Sequence, residues 1–166
     1  MKLYHGTEDK ELNLTETTAQ NGLNIFYGMF FASSLSAAES HGNTLFEVEV
    51  DKEDILDYEK IPFFEETESI IKGLYKDITE EELEELVELA SGKSSFKSDI
   101  ETERLAEILK VYEDDFMLEA FVDWECQNLS GYIAEKLGYK AVKMDDEHGT
   151  TYLVLPGNKI NKIVED

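Results

Sequence analysis

Residues able to carry out chemistry are concentrated in two short segments near the two ends of the chain. The first, residues 3–7, ends in His5, Gly6 and Thr7, and the second, residues 138–157, carries Asp145, Asp146 and Glu147. Each segment begins as a brief apolar stretch typical of a strand, and rigid strand ends often hold catalytic side chains. The sequence therefore predicts a site built from strand ends, with the remaining residues acting as scaffold.

These residue types favour recognition of a sugar and charge stabilisation. A histidine at a cleft can hydrogen-bond a ligand, and Gly6 lets a ligand approach the backbone closely. A carboxylate at a strand end can bind a sugar hydroxyl and stabilise an oxocarbenium-like transition state. Each feature also has an ordinary explanation, because His5 could be a satisfied polar residue and the three carboxylates could form an acidic turn on an acidic protein.

Aromatic residues near position 30 offer a second binding element. Phe30 and Phe31, with Tyr27 nearby, could stack on a planar heterocycle. Adjacent strand residues face opposite sides of a sheet, so at least one of the two phenylalanines must belong to the core.

Several classes of site are disfavoured by the motifs. The three histidines His5, His41 and His148 have no helical i,i+4 spacing and no CxxC accompanies them, so we expect no metal site. P-loop, dinucleotide-fingerprint and nucleophile-elbow motifs do not occur. One cysteine, Cys126, excludes an intramolecular disulfide, and its helix-like context indicates packing rather than a nucleophile.

The net charge of −23 is extreme, with 15 Lys and Arg against 38 Asp and Glu. Such a field repels nucleic acid and anionic membranes and attracts basic surfaces. We expect no direct nucleic-acid or membrane contact; the charge could serve solubility alone or a partner with a basic groove. Neither a signal peptide nor a membrane-length apolar run is evident, so a cytoplasmic location is expected.

The order of predicted elements is strands, then helices, then strands. Strands are predicted at 1–7, 29–32, 44–50, 141–144, 151–155 and 159–164, with 8–28 mostly loop and a turn at His148-Gly149. Helices are predicted at 36–41 with Ser36 as N-cap, 79–90 with a Thr79–Glu82 capping box, 100–111, and 116–137 with a possible break at Gly131. This order predicts an α+β fold in one domain, 1–166, with a mostly helical insertion at 58–137.

Taken together, these pieces resemble the ADP-ribosyltransferase superfamily, which has a split β-sheet core. The matching segments are His5-Gly6-Thr7, then Phe30 to Ser33 with the helix at 36–41, and then the cluster at 145–147. A closer resemblance is to the type I-F anti-CRISPR ADP-ribosyltransferases of phages. It rests on Tyr4-His5-Gly6, on residues 40–45 and above all on 146–151 with Leu155-Pro156-Gly157, and it covers about the first fifty and last thirty residues.

That resemblance implies transfer of ADP-ribose from NAD to a protein. The expected target is the subunit of a CRISPR surveillance complex that reads the protospacer-adjacent motif (PAM), a protein with a basic DNA-binding surface, in the host bacterial cytoplasm. The carboxylate before Glu-His-Gly, which is Asp146, is expected to be catalytic. The residues expected to bind NAD are His5, Gly6, Thr7, Phe31, Ser33 and His41, in a cleft between the first strand and the strand ending at Met144.

Two other functions remain open from the sequence. The same fold could modify another protein, as an ADP-ribosylating toxin or host-factor modifier. Alternatively, the chain could be a non-enzymatic acidic decoy that blocks a DNA-binding groove by charge alone. A requirement for NAD separates both enzymes from the decoy, whereas salt-sensitive binding would favour the decoy.

Overall fold

Strands flank a run of helices in the chain order that the sequence predicts. The computed structural model describes residues 1–12, 14, 19–21, 24–111, 117–146 and 149–163, with the backbone alone at 19–21, 24–26 and 146. The strands are β1 Lys2–Thr7, β2 Ala19–Asn21, β3 Asn24–Phe26, β4 Met29–Ala32, β5 Thr44–Glu49, β6 Ile55–Asp57, β7 Ala141–Asp146, β8 Gly149–Val154 and β9 Ile160–Lys162. The helices are α1 Leu35–Glu39, α2 Thr67–Leu74, α3 Glu80–Ala90, α4 Thr102–Leu109 and α5 Leu118–Lys136, with 3-10 helices at Lys52–Asp54, Tyr58–Phe63 and Ser95–Lys97.

The main sheet has seven strands in the order β6-β7-β8-β4-β1-β5-β9, and β2 and β3 form a separate hairpin. Only β6 and β7 pair in parallel among the described strands, whereas the other neighbours are antiparallel. The mixed sheet with its helices confirms the predicted α+β class. Strands β1, β7 and β8 all belong to this sheet, so the two chemically capable segments lie in the same sheet.

Helices α2 to α5 cover one face of the sheet. Their apolar side chains pack with Val142, Met144, Leu153 and Leu155 from β7, β8 and the residue after β8 into the larger hydrophobic core. A smaller core on the opposite face contains Leu3, Phe31, Val48 and Tyr152 among others. Residues of one strand therefore alternate between two apolar environments, as the side-chain period of a strand requires. The acidic segment 58–137 supplies the helical layer of the larger core.

The structure confirms one of the two predicted helix caps and corrects the other. The Thr79–Glu82 capping box of α3 is present, with Glu82 N–H donating to Thr79 Oγ1 at 3.1 Å and Thr79 N–H to Glu82 Oε2 at 2.8 Å. The N-cap of α1 is Ser34 rather than Ser36, because Ser34 has extended φ and ψ and its Oγ accepts from Ala37 N–H.

Several short elements were not predicted. The β2–β3 hairpin lies in the expected loop 8–28, and β6 and α2 lie in stretches without clear periodicity.

Gly131 does not interrupt α5; an added Cβ there would lie 2.8 Å from the Leu153 side chain, so glycine allows the helix to approach the sheet. His148 of the expected turn lies outside the described residues.

Cys126 is buried in α5, and burial raises the pKa of its thiol, which agrees with a packing role. In the part of the chain that the structure describes, no helix has both the length and the apolar character needed to cross a membrane.

Candidate active site

The sheet opens between β1 and β4, at the position of His5. Strand β1 pairs with β5 along its whole length, from Lys2–Glu49 to Thr7–Thr44. With β4, the described part of β1 shares the one register pair Tyr4–Ala32. The next residue, His5, is half-buried, and its Nδ1 lies 2.7 Å from the Phe30 carbonyl oxygen. A side chain thus bonds to the backbone of β4 where the regular ladder ends.

This contact fixes the chemical state of the His5 ring. A carbonyl oxygen can only accept, so Nδ1 carries the proton and Nε2 of the neutral ring is an acceptor. Burial lowers the pKa of His5, and the electrostatic effect of the neighbouring His41 lowers it further. The Phe30 carbonyl and the charge of Asp9 act in the opposite direction without overcoming burial. At neutral pH the ring is therefore neutral, with Nε2 able to accept a hydrogen bond from a hydroxyl.

The Phe31 ring packs against the ring of this histidine. Its ring centroid is 5.4 Å from that of His5 with an interplanar angle of 46°, and its side chain is 1% exposed. Such burial gives Phe31 no face for a ligand arriving from solvent. The sequence expectation that Phe31 stacks on the cofactor therefore gives way to a packing role in the smaller core, beside His5.

Gly6 and Gly42 allow helix α1 and the chain after it to lie directly against β1. A Cβ on Gly6 would lie 1.9 Å from the Ala38 carbonyl oxygen, and one on Gly42 would lie 2.2 Å from the Thr7 carbonyl carbon. The close approach that Gly6 permits is thus made by α1 of the same chain, not by a ligand. Thr7 ends β1, and its Oγ1 accepts from Asp9 N–H at 3.1 Å.

Ser33 and His41 lie at the two ends of the α1 segment. Ser33 follows β4 directly and is exposed, one residue before the N-cap Ser34. His41 is exposed after α1, and its backbone N–H donates to the Ala38 carbonyl at 3.0 Å. Gly42, the residue after His41, lies against Thr7, two residues after His5, so the chain brings the two histidines to the same part of the structure. The structure therefore groups His5, His41 and the α1 segment beside the opening in the sheet.

The candidate catalytic carboxylate lies elsewhere on the same sheet. Asp146 is the last residue of β7, and its backbone pairs opposite Gly149. Asp145 is exposed, and its Oδ1 accepts from Thr150 Oγ1 at 2.9 Å. Glu147, the third carboxylate of the cluster, lies outside the described residues. The sequence predicts this strand to end at Met144, whereas β7 continues to Asp146.

Register pairs relate the two parts of the site. Met144, Thr151, Ala32 and Tyr4 form one row across β7, β8, β4 and β1. Strands β1 and β7 are therefore not neighbours, because β8 and β4 lie between them. At a strand spacing of about 4.8 Å, this row spans roughly 14 Å. Strands β8 and β4 thus separate the two segments between which the NAD cleft is expected, and NAD binding there stays a prediction.

The carboxyl ends of three strands meet at one edge of the sheet. Strands β4, β7 and β6 run in the same direction, since β4 and β7 are both antiparallel to β8 and β6 is parallel to β7. Ser33, Asp146 and Tyr58 therefore follow or end their strands at the same edge.

Comparison with known proteins identifies the family. The model of the family Anti-CRISPR Type I-F ADP-ribosyltransferase AcrIF11 matches residues 1–163. The chain belongs to this family. A solved structure described as the crystal structure of an anti-CRISPR protein is similar over 98% of this chain and 95% of that chain, with 27% sequence identity and a TM-score of 0.62. A search of curated proteins finds no significant match.

The family match covers more of the chain than the resemblance seen in the sequence. The match runs through the helical middle as well as the first fifty and last thirty residues. Within the described ranges, no group of three or more His, Cys, Asp or Glu side chains is arranged to hold a metal ion. The residues that could hold a dinucleotide remain those around His5 and along the edge that contains Ser33 and Asp146.

Tyr58 is a further candidate for the site, and the sequence alone did not single it out. Burial raises the pKa of Tyr58, and the backbone N–H of Asp145 acts on its hydroxyl in the opposite direction. Gly92, with φ of +102°, leaves room for the ring, since a Cβ there would lie 2.4 Å from it. The available signal was a tyrosine two residues after the apolar pair Ile55-Leu56, whose strand is too short to be predicted.

Proposed function

We propose that this AcrIF11-family protein transfers ADP-ribose from NAD to a protein side chain. We further propose that its target is the PAM-reading subunit of a type I-F CRISPR surveillance complex, in the cytoplasm of the host bacterium, so that DNA recognition is blocked. The observation that carries this proposal is the family match over residues 1–163. The neutral His5 at the opening between β1 and β4 and the carboxylates at the end of β7 support it.

The proposed roles follow from the contacts of each residue. His5 Nε2 accepts a hydrogen bond from a ribose hydroxyl of NAD, because Nδ1 is committed to Phe30. Thr7, together with Ser33 and His41, binds the rest of the cofactor, while Gly6 allows α1 to lie against β1 beside them. Phe31 holds the His5 ring in place through its buried contact.

Asp146 is proposed as the catalytic carboxylate. The bond between the ribose anomeric carbon and the nicotinamide nitrogen breaks, and nicotinamide leaves with the electron pair. A nucleophilic atom of the target protein then bonds to the anomeric carbon and loses its proton. Positive charge develops on the ribose during this exchange, and a fixed carboxylate stabilises it. The fold would supply this group from the end of β7, where the Asp146 backbone pairs with Gly149 of β8.

The surface charge fits a target whose function is to bind DNA. A net charge of −23 attracts a basic channel and increases the rate of encounter. Electrostatics of this kind does not by itself select the acceptor residue. The charge therefore supports the choice of target class, and the family supports the chemistry.

Intact mass spectrometry of a type I-F complex incubated with the protein, with and without NAD, tests the proposal. We expect one subunit to gain one ADP-ribose in the NAD sample alone, with loss of target-DNA binding. The Asp146→Ala variant should abolish the transfer and Asp145→Ala, the matched control, should affect it less. Asp146→Ala should leave thermal stability nearly unchanged, since it removes a negative charge from a chain of net −23.

The other functions give different results in the same assay. Equal inhibition of DNA binding with and without NAD would favour the acidic decoy. Transfer to a protein other than the complex would keep the enzyme and replace the target. If Asp146→Ala keeps full transfer activity and Glu147→Ala loses it, the catalytic carboxylate is that of Glu147.

A further inference from the structure

The 3-10 helix at Tyr58–Phe63 ends in an aromatic ring that is almost entirely in solvent. Phe63 is 83% exposed, whereas Ile61 two residues earlier is fully buried. The next residue, Phe64, packs edge-on against Tyr139, with ring centroids 6.1 Å apart. The chain thus turns Ile61 and Phe64 inward and leaves Pro62 and Phe63 between them exposed. Exposure of the large apolar Phe63 ring to water is unfavourable, and no contact within the fold offsets it.

Exposure of Phe63 is not the result of a loose loop. The hydroxyl of Thr67, itself buried, donates to the Ile61 carbonyl at 2.7 Å. Phe64 N–H donates to the same carbonyl at 3.3 Å, and Thr67 N–H donates to the Phe64 carbonyl at 3.2 Å. These bonds fix the backbone on both sides of Phe63, so its ring is presented from an ordered platform. A rigid aromatic group loses little entropy on binding, which is typical of interface anchors.

A shallow groove with an acidic rim lies beside this ring. The groove has a volume of about 190 Å³, and its lining includes Pro62, Phe64 and Val87. The rim is negative, because Glu59, Glu65, Glu66 and Glu68 are exposed and the same stretch offers one exposed cation, Lys60. An apolar centre with a charged rim is the usual anatomy of a protein interface. Its charge selects a partner surface that carries Lys and Arg.

The position of this surface relates it to the candidate active site. Its 3-10 helix begins at Tyr58, which follows β6 and lies beside the Asp145 backbone at the end of β7. At about 2 Å of rise per residue, Phe63 lies roughly 10 Å farther along. A protein bound over Phe63 would therefore lie next to the sheet edge that ends in Asp146.

We propose that Phe63 and its rim of Glu59, Glu65, Glu66 and Glu68 form the docking surface for the basic protein that the active site modifies. Phe63 inserts into an apolar recess of that protein, and the rim pairs with Lys and Arg around the recess. This inference rests on the proposed function, since it takes the acceptor of ADP-ribose as the occupant.

The test compares two variants, Phe63→Ala and Phe96→Ala. Phe96 is the matched control, because it is 75% exposed and also lies in a 3-10 helix, at Ser95–Lys97, beside a lysine. Affinity for a purified type I-F surveillance complex is measured by biolayer interferometry without NAD. We expect Phe63→Ala to weaken binding at least tenfold, Phe63→Trp to restore it, and Phe96→Ala to remain within twofold of the parent protein. Melting temperatures check that all variants are folded.

A second arm tests the charge. Glu65→Gln with Glu68→Gln should weaken binding and reduce its dependence on salt concentration, because fewer ion pairs are then screened. Binding of Phe63→Ala within twofold of the parent protein would overturn the docking surface while leaving the enzymatic proposal intact.

The parent protein itself separates the two proposals. Binding of the complex without transfer of ADP-ribose would refute the proposed function, and the Phe63 and Phe96 comparison would still decide the docking surface. If the parent protein shows no binding and no transfer, both proposals are overturned.

Discussion

Replacement of Gly6 by alanine is the sharpest test of how the site is assembled. The new Cβ would lie 1.9 Å from the Ala38 carbonyl oxygen and 2.8 Å from its carbon, and real Cβ contacts are essentially never below 3.0 Å. The contact would therefore have to lengthen by at least 1.1 Å. Because the opposing atoms are backbone, no side-chain rotation relieves the clash, and α1 must move away from β1.

Overpacking of this kind costs about 1–3 kcal/mol. For a chain of this length each kcal/mol lowers the melting temperature by about 2–4 °C, so Gly6→Ala should melt roughly 2–12 °C below the parent protein. Displacement of α1 also moves His41 relative to His5, so transfer of ADP-ribose should fall as well. Thermal unfolding followed by circular dichroism measures the first effect, and the mass assay measures the second.

Gly73→Ala is the matched control. Gly73 lies in α2, and a Cβ there would have nothing within 4 Å. Alanine is favoured over glycine within a helix by about 1 kcal/mol, so this variant should melt slightly higher than the parent protein. A Gly6→Ala variant that melts within about a degree of the parent protein would refute the tight packing of α1 on β1.

Two further predictions concern stability. Because burial lowers the folded-state pKa of His5 below its ordinary 6.5, the unfolded chain binds the proton more readily, and stability should fall as pH drops through 6.5 toward that lowered pKa. Urea midpoints measured between about pH 5 and 7.5 give the slope of stability against pH, and His5→Gln should flatten that slope. If the slope is the same in His5→Gln, other titrating groups cause it. Thr79→Ala removes one half of the capping box of α3 and should cost about 1 kcal/mol in urea unfolding, and no loss would mean that tertiary packing alone fixes the start of the helix.

Much of the fold followed from local sequence signals. The Thr79–Glu82 box and the apolar spacing of Leu83 and Leu86 specify α3, because both depend on residues within one or two turns. Alternation in residues 44–50 specified β5 for the same reason. Strand β6 and helix α2 were missed, since each is short and is stabilised by contacts with distant residues such as Ala141 and those of α3 and α5.

The sequence by itself determined the residue types of the site, the exclusion of a disulfide and the family, which a motif of consecutive residues can reveal. Only the tertiary structure decided that His5 bonds to Phe30, that Phe31 is covered, and that Gly6 faces Ala38 rather than a ligand. Strand order places Ser33, Tyr58 and Asp146 at one edge, and it is set by pairs that are distant in sequence, such as Phe31 with Tyr152 and Ile55 with Ala141. Local propensity carries no information about such pairings, because their free energy depends on which strands meet.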